Sequence, residues 1–215
     1  MASMAGMTTY GYDALNQLTS VYYPSDRQVT YAYDASGNRM AVNDTGTNTT
    51  YAANSVNEYT QTGATTFLYD ADGNLTNQTV ASGTTTYQYD FDNRLVGVVT
   101  PANDTWQYVY DSLGNRTAAV HNGATNSFLV DPVGIADEAA EYNSSGMLVA
   151  RYDDGLGLVS RVDASGNPAY YGFDGLGNTR QLTGNGGSTL NSYDCYELFW
   201  HRKNCRTGIA RFLDV

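Results

Sequence analysis

The sequence predicts an all-β fold built from tandem β-hairpins. Two observations carry this prediction: aromatic-x-aromatic-Asp segments recur along most of the chain, and a turn sequence rich in Gly and Asn follows most of them. The composition agrees, because 19 of the 215 residues are Tyr and 22 are Gly, and Tyr favours strands while Gly favours turns. Sustained helical periodicity appears nowhere.

The recurring segment has the form Tyr-x-Tyr-Asp, and its Asp or an equivalent residue returns at a nearly constant spacing. Most steps are 20 to 22 residues, with one short step of 16. Self-similarity at a fixed period is the signature of a repeat array. The anchor residues of the ten units are Asp13, Asp34, Asn54, Asp70, Asp90, Asp111, Asp131, Asp153, Asp174 and Asp194.

Each unit predicts one hairpin, consisting of a strand, a tight turn, a second strand and a loose turn. The two aromatic residues lie on one face of the first strand, because side chains alternate along a strand. A single hairpin is marginal in water, so successive hairpins pair into one long antiparallel sheet, which twist curls into a spiral or partial barrel. On the face of the sheet that carries these aromatic residues, the sequence predicts an aromatic ladder of Tyr10, Tyr31, Phe67, Tyr87 and Tyr108.

The Asp residues of the repeats are predicted to organise the tight turns. An Asp carboxylate accepts backbone N–H bonds in a turn, and the following Gly and Asn tolerate positive φ. Arg residues just after the turns can pair with these carboxylates, as in Asp34–Arg39, Asp90–Arg94 and Asp111–Arg116, but exposed pairs of this kind contribute only about 0–1 kcal/mol. The predicted turn residues are Asp13, Asp34, Asp70, Asp90, Asp111 and Asp174.

The charge and the apolar pattern exclude several classes of protein. The net charge is −11, without a cluster of Lys and Arg, so nucleic acid is not an expected partner. No apolar run reaches the length of a membrane-spanning helix. The segment Met1–Met7 lacks the basic and apolar regions of a signal peptide. Cys195 and Cys205 both lie near the C-terminus, which is too few for a disulfide framework.

The repeat Tyr31-Ala-Tyr-Asp34 followed by Gly37-Asn38-Arg39, and its copies over roughly residues 9–194, resembles the YD repeat of the Rhs (rearrangement hotspot) proteins. The same repeat occurs in wall-associated proteins, in BC components of insecticidal toxin complexes and in teneurins. The stretch from Phe128 to Arg180 resembles the run into the Rhs-associated core. The resemblance implies a bacterial, secreted or surface-exposed β-sheet shell that encloses or presents a C-terminal toxin or effector.

On this basis the chain divides into four segments. Residues 1–8 are an expression-derived or truncated start, residues 9–127 are YD repeats, residues 128–194 are degenerate repeats similar to the start of the core, and residues 195–215 are an atypical tail. The tail contains Phe199, Trp200 and Phe212, which make it a candidate apolar cap. The family's core contains an aspartyl autoprotease, but its paired Asp residues have no assignable counterparts, so the activity is not transferred.

Residues with catalytic or metal-binding potential have simpler interpretations. His121 lies in a turn sequence and His201 in the tail, and no Gly-x-Ser-x-Gly motif accompanies them. The spacing of Cys195, His201 and Cys205 does not match a structural zinc site, and a free or paired thiol is favoured. The segments Asp70–Asn74 and Asp131–Gly134 resemble a calcium loop and a family cleavage string respectively, and both are predicted to be turns.

The preferred functional hypothesis is a non-catalytic scaffold or shell segment with no cofactor and no metal. Its expected partners are a C-terminal toxin or effector, or other YD-repeat segments. One alternative is carbohydrate binding by exposed rows of Tyr10, Tyr31, Tyr87 and Tyr108, since aromatic rings can stack on sugars. A second alternative is a hydrolase whose site the sequence does not reveal. Unpaired sheet edges also favour self-association.

Overall fold

The structure, a computed structural model, describes residues 6–131, 137–155, 157–173 and 179–192. These ranges contain nineteen β-strands, one three-residue 3-10 turn and no α-helix. The predicted all-β fold of tandem antiparallel hairpins is confirmed. The chain forms two compact units, residues 1–106 and residues 107–215. The tail residues Cys195, His201 and Cys205, and the predicted turn residue Asp174, lie outside the described residues.

The first unit is a meander in which every strand from β1 to β9 pairs antiparallel with the next, ending at β10. Each predicted repeat supplies two strands and therefore forms one hairpin. Strand β11, Thr105–Tyr110, contains the boundary between the units. The strands of the first unit are β1 Thr9–Tyr12, β2 Leu18–Tyr22, β3 Gln28–Tyr33, β4 Arg39–Asp44, β5 Thr47–Ala53, β6 Tyr59–Thr62, β7 Thr65–Tyr69, β8 Leu75–Val80, β9 Gly83–Tyr89 and β10 Leu95–Val99.

The second unit has the same pattern, with each strand from β12 to β18 paired antiparallel with its successor. The 3-10 turn, Asn185–Gly187, lies between its last two strands. The strands of this unit are β12 Arg116–His121, β13 Ala124–Val130, β14 Glu138–Tyr142, β15 Leu148–Asp154, β16 Leu158–Asp163, β17 Pro168–Phe173, β18 Thr179–Thr183 and β19 Thr189–Ser192.

The tight turns of the repeats share one backbone geometry. In the turn that begins at Asp34, the Asp34 N–H donates to the Asn38 carbonyl at 2.9 Å, and the Gly37 N–H donates to the Asp34 carbonyl at 3.1 Å. Gly37 has φ +86°, a left-handed conformation that Gly adopts without steric cost. The register shifts by one residue beside the turn, between Ala32 and Tyr33. This combination is a type I turn with a β-bulge, which fixes the register of the hairpin.

The loose turns between repeats are of two kinds. Some are two-residue connections, such as Thr45-Gly46 with φ values of 49° and 93° and Asn122-Gly123 with 48° and 85°, the type I′ conformation that matches the twist of paired strands. Others are five-residue turns with the geometry of the tight turns, as at Thr100–Asp104. Both kinds join neighbouring hairpins through short connections, so the pairing order follows the chain.

The two faces of the sheet differ in exposure. In β3, Val29 is buried and Tyr31 and Tyr33 are half-buried, whereas on the opposite face Gln28 and Ala32 are exposed and Thr30 is half-buried. Tyr31 and Tyr33 therefore share the more covered face of this strand, as predicted. We call this side the aromatic face.

Few side chains are fully buried in either unit. The buried apolar residues of the first unit are Val21, Val29 and Val98, and those of the second are Tyr108, Ala119, Ala140, Ala150, Val162, Ala169 and Leu182. Many of these side chains are small, as expected where a sheet has little packed against it. Strand pairing and turns must therefore contribute much of the stability.

Truncation of Leu182, which is 1% exposed, tests the importance of the small core. We expect Leu182→Ala to lower the free energy of unfolding of the second unit by about 2–5 kcal/mol, because it removes buried apolar contacts and leaves a cavity. Urea unfolding followed by circular dichroism measures the change. Leu190→Ala is the matched control, since Leu190 is 57% exposed. Equal effects of the two substitutions would contradict the assignment of the core.

Candidate functional site

The Asp residues of the tight turns accept hydrogen bonds from the backbone of their own hairpins. In the Asp34 turn, Oδ1 accepts the N–H groups of Ser36 at 2.9 Å and Asn38 at 2.8 Å. The same two bonds, from the residues two and four positions later, recur throughout the repeats. They form at Asp13, Asp70, Asp90 and Asp111. The predicted turn residues that the structure describes therefore occupy equivalent places.

The second carboxylate oxygen receives a donor from the side chain four residues later. The Asn38 Nδ2 donates to Asp34 Oδ2 at 3.0 Å, and the Asn115 Nδ2 donates to Asp111 Oδ2 at 3.0 Å. In the Asp90 turn the donor is Arg94, whose Nε lies 2.8 Å from Asp90 Oδ2. This is one of the Arg–Asp pairs that the sequence predicts.

These hydrogen bonds lower the pKa of Asp34, Asp70, Asp90 and Asp111. The pKa of Asp34 is lowered mainly by the Asn38 side chain, and the pKa of Asp111 mainly by the Asn115 side chain. For Asp90 the largest cause is the hydrogen bond from the backbone N–H of Arg94, which lowers the pKa. Partial desolvation, the next cause, raises it. Bonds to a carboxylate stabilise its charged form. The carboxylates are thus held ionised as acceptors of the hairpin, a poor arrangement for proton transfer at neutral pH.

The third repeat exchanges the donor and acceptor roles within its turn. Asn54 Oδ1 accepts the same two backbone bonds, from Val56 and Glu58, both at 3.0 Å. Its Nδ2 then donates to the Glu58 side chain, with Oε2 at 2.6 Å. In the turns at Asp34, Asp90 and Asp111 the first side chain accepts a hydrogen bond from the fifth. In this turn the first side chain donates and the fifth accepts. The two positions are therefore chemically complementary.

Neighbouring tight turns of the first unit are also joined to one another. The Asn38 Nδ2 donates to Asn57 Oδ1 at 2.8 Å, and the Asn74 Nδ2 donates to Asn93 Oδ1 at 2.8 Å. In each case an Asn at the end of one turn contacts the positive-φ Asn of the next. The turns form a side-chain ladder along one edge of this unit.

The Tyr residues proposed as a ligand-binding row differ in exposure. Tyr10 is 48% exposed, Tyr31 and Tyr87 are half-buried, and Tyr108 is 7% exposed. Desolvation is the largest cause that raises the pKa of Tyr31, Tyr87 and Tyr108. Tyr87 also donates its hydroxyl to Gln78 Oε1 at 3.1 Å. Three of the four rings are thus at least partly enclosed by their own sheet.

The second Tyr of a repeat binds the preceding hairpin. The Tyr33 hydroxyl donates to the Leu18 carbonyl at 2.8 Å, and the Tyr69 hydroxyl donates to the Tyr59 carbonyl at 2.9 Å. The Tyr59 hydroxyl in turn accepts the backbone N–H of Arg39 at 2.7 Å. Each bond crosses from one repeat to the one before it. These phenols connect consecutive hairpins in addition to the strand ladder.

Arg side chains lie between the aromatic rings of successive repeats. The Arg39 guanidinium carbon lies 5.2 Å from the Tyr31 ring centroid and 5.7 Å from that of Tyr51. In the second unit, Arg116 lies 5.4 Å from the Tyr108 centroid and 5.5 Å from that of Phe128. Such contacts are worth about 0.5–2 kcal/mol. At each place a cation therefore lies between one ring of the predicted ladder, Tyr31 or Tyr108, and an aromatic ring of the next repeat. Sequence alternation did not reveal this arrangement.

A buried polar group in the second unit was not predicted from the sequence. Glu141 is 8% exposed, and its Oε1 accepts the Asn126 Nδ2 at 2.8 Å. Tyr152 lies on the neighbouring strand, and its hydroxyl is 3.5 Å from Glu141 Oε2. Burial, with Glu138 next in importance, raises the pKa of Tyr152 to about 12. The regular array of the second unit thus encloses a carboxylate–phenol contact, and only the Tyr could have been anticipated from the repeat.

The degenerate repeats place their turns differently from the sequence anchors. Asp153 lies within β15, where its Oδ2 accepts the Ser160 hydroxyl at 2.6 Å. The tight-turn geometry occurs instead at Asn143 and Asp163, in the loose turns between hairpins. The period of about 21 residues could not distinguish the two kinds of turn. The signals for the second kind were Asn143 and Asp163 themselves, each followed by Gly three residues later.

The candidate catalytic and metal-binding residues show no assembled centre in the part of the chain that the structure describes. His121 ends β12, with its Nε2 3.2 Å from the Asn122 Nδ2. Asp70–Asn74 forms a tight turn rather than a calcium loop. Over the described ranges, no three His, Cys, Asp or Glu residues are grouped to hold a metal ion. In those same ranges no helix is long and apolar enough to cross a membrane.

Comparison with known proteins agrees with the repeat geometry. The RHS Repeat family model matches residues 12–49, 69–102 and 91–126, which include the tight turns at Asp13, Asp34, Asp70, Asp90 and Asp111 but not the one at Asn54. The fold and its turns define a YD-type β-hairpin array, and these segments of the chain match the RHS repeat. No curated protein sequence matches the chain.

Solved structures of toxin-complex proteins are similar to this chain. A chain of the TcdB2–TccC3–Cdc42 crystal structure has 13% identity and a TM-score of 0.41, covering 86% of this chain and 15% of that one. A chain of the Photorhabdus luminescens Tc holotoxin pore has 14% identity and a TM-score of 0.38, covering 88% of this chain and 14% of that one. This chain therefore spans about one seventh of the length of these proteins.

Acid should destabilise the hairpins through their turn carboxyls. The pKa values of Asp34, Asp70, Asp90, Asp111 and Asp163 are lowered from a usual value of 3.8. A carboxyl with a lowered pKa stabilises the folded state above its unfolded pKa and loses that contribution as pH falls through the folded pKa. We therefore expect the urea midpoint to fall steeply below pH 3.8. A midpoint unchanged between pH 5 and pH 2 would contradict this role.

The complementarity of the two turn positions predicts a rescue. Asp111→Asn should lower the urea midpoint, because the new Nδ2 would face the Asn115 Nδ2, a donor against a donor. Asp111→Asn combined with Asn115→Glu recreates the Asn54–Glu58 arrangement and should recover most of the loss. The measurement is urea unfolding at pH 7 of both variants and of Asn115→Glu alone, which completes the double-mutant cycle. Additive losses without recovery would contradict the exchange of roles.

Proposed function

We propose that this chain is a non-catalytic scaffold or shell segment that presents or encloses a C-terminal effector. The observation that carries the proposal is the use of the repeat's side chains within the array. Turn carboxylates bond their own hairpins, as at Asp34, and Tyr33 and Tyr69 hydroxyls bond the preceding hairpin. The recurring side chains of the repeat thus connect the hairpins and fix their register, as a shell segment requires.

The match of residues 12–49, 69–102 and 91–126 to the RHS Repeat model supports the same role. A shell segment needs a continuous sheet whose strands pair in chain order, and both units have that order. Extracellular or surface location is part of this proposal, as is an effector or another YD-repeat segment as partner. A bond that joins one repeat to the next, such as Asn38 to Asn57, would also suit a junction between repeats of separate segments.

Carbohydrate binding is a second candidate, and one observation favours it. Tyr10 and Tyr12 at the first strand are 48% and 60% exposed, so their rings are accessible for stacking. Half-buried Tyr31, placed against Arg39, offers less surface. A Tyr10→Ala variant that loses binding to an oligosaccharide array, with Tyr22→Ala as the equally exposed control, would favour this candidate.

The scaffold proposal predicts protection of a protein placed after the array. We expect a small folded reporter joined after Val215 to be digested by a broad-specificity protease more slowly than the free reporter, because enclosed segments open less often. Gel electrophoresis of a time course measures the rate. The matched control carries the same reporter before Met1. Equal digestion rates for the C-terminal fusion, the N-terminal fusion and the free reporter would overturn the enclosing role.

A further inference from the structure

The chain contains seven Asn-x-Ser/Thr sequences, a motif whose Asn accepts N-linked glycans in exported proteins. Their Asn residues are not equivalent in the folded protein. Some are exposed beside the loose turns, while others are hydrogen-bonded in the tight turns or lie in strands. The seven are Asn43, Asn48, Asn74, Asn77, Asn103, Asn115 and Asn143.

Three of these Asn residues are exposed and lie at connections between hairpins. Asn48 follows the Thr45-Gly46 turn at the start of β5, Asn103 lies in the Thr100–Asp104 turn, and Asn143 opens the turn after β14. The hydroxyl-bearing residues of their motifs are exposed as well, and are Thr50, Thr105 and Ser145. Acceptor and hydroxyl are thus both accessible at the same surface.

The amide nitrogens of these three residues are available for a new bond. Asn143 uses only its Oδ1 in the turn, accepting from Ser145 and Met147 at 3.0 Å each. Over the described ranges, no hydrogen bond is made by the side-chain nitrogens of Asn48 or Asn103. A glycan on any of the three would therefore disturb no turn contact.

Asn74 shows the opposite case. Its Nδ2 donates to Asp70 Oδ2 at 3.0 Å and to Asn93 Oδ1 at 2.8 Å, so both of its hydrogens are engaged. A glycosidic bond would replace one of them and break either the turn or the ladder between turns. The structure therefore separates acceptors from non-acceptors among identical motifs.

We propose that Asn48, Asn103 and Asn143 are attachment sites for N-linked glycans. The co-reactant is a lipid-linked oligosaccharide diphosphate, brought by an oligosaccharyltransferase. A bond forms between Nδ2 and the sugar C1, the C1–oxygen bond to the diphosphate breaks, the lipid diphosphate leaves with the electron pair, and the amide loses one proton. This inference rests on the proposed export of the protein.

The test is production of the full chain behind a cleavable secretion leader in a host with an oligosaccharyltransferase. Folded secreted protein is treated with peptide N-glycosidase in heavy-oxygen water, and labelled peptides are identified by mass spectrometry. We expect label at Asn48, Asn103 and Asn143 and not at Asn74. Unlabelled protein, or label at Asn74 equal to that at the three sites, would overturn the assignment.

Single Asn→Gln substitutions test the proposed glycan sites independently. Asn143→Gln should remove the mass of one glycan, while Asn77→Gln, which replaces a half-buried Asn of β8, should leave the glycan mass unchanged. An unchanged mass for Asn143→Gln would overturn its assignment. Protein isolated from the organism that naturally produces it tests the export itself. Glycans on that protein would support both proposals. Their absence, when protein from the production host carries them, would overturn the export and leave the acceptor sites supported.

Discussion

The array depends on the closure of each tight turn by its own first side chain. One carboxylate oxygen of Asp34 accepts two backbone N–H groups, and the other accepts the Asn38 amide. These bonds position the left-handed Gly37 and the adjacent bulge, which set which residues of the two strands face each other. Because few side chains are buried, strand register cannot be left to core packing.

The same closure engages side chains that in other proteins serve catalysis. A row of Asp, Tyr and Arg residues contains the groups that enzymes use for acid, base and electrostatic catalysis. Here Asp90 is bonded to Arg94, and Arg39 lies between two Tyr rings. These groups bond to or stack on other side chains of the array. The same side-chain contacts recur in successive repeats, whereas the groups of an active site usually occur once in a chain.

Much of the fold could be predicted because the same local pattern of strand and turn residues recurs in successive repeats. Tyr31-Ala-Tyr33 specified a strand with one aromatic face, and Asp34 with Gly37 specified the turn. The register shift beside each turn also follows from that turn chemistry. The positions of strands were thus encoded locally, by alternation and by turn residues.

Other features depend on which strands become neighbours, and they could not be read from a single unit. The Arg39 contact with Tyr51 and the Asn38–Asn57 bond link residues of different repeats. Glu141 became buried because Asn126 and Tyr152 lie on the strands beside it. Asp153 fitted the period but belongs to a strand, since two turn types alternate along the chain and a single period cannot separate them.

Among the strands that the structure describes, the pairing of sequence neighbours has a consequence for how the chain acquires its structure. Contacts between adjacent hairpins close short loops, so the entropy lost before each contact forms is small. Folding can then begin at any hairpin and spread in either direction, as in other linear repeat proteins. A ribosome or a translocation channel that delivers the chain from one end would let finished hairpins template those that follow, without waiting for the last residue.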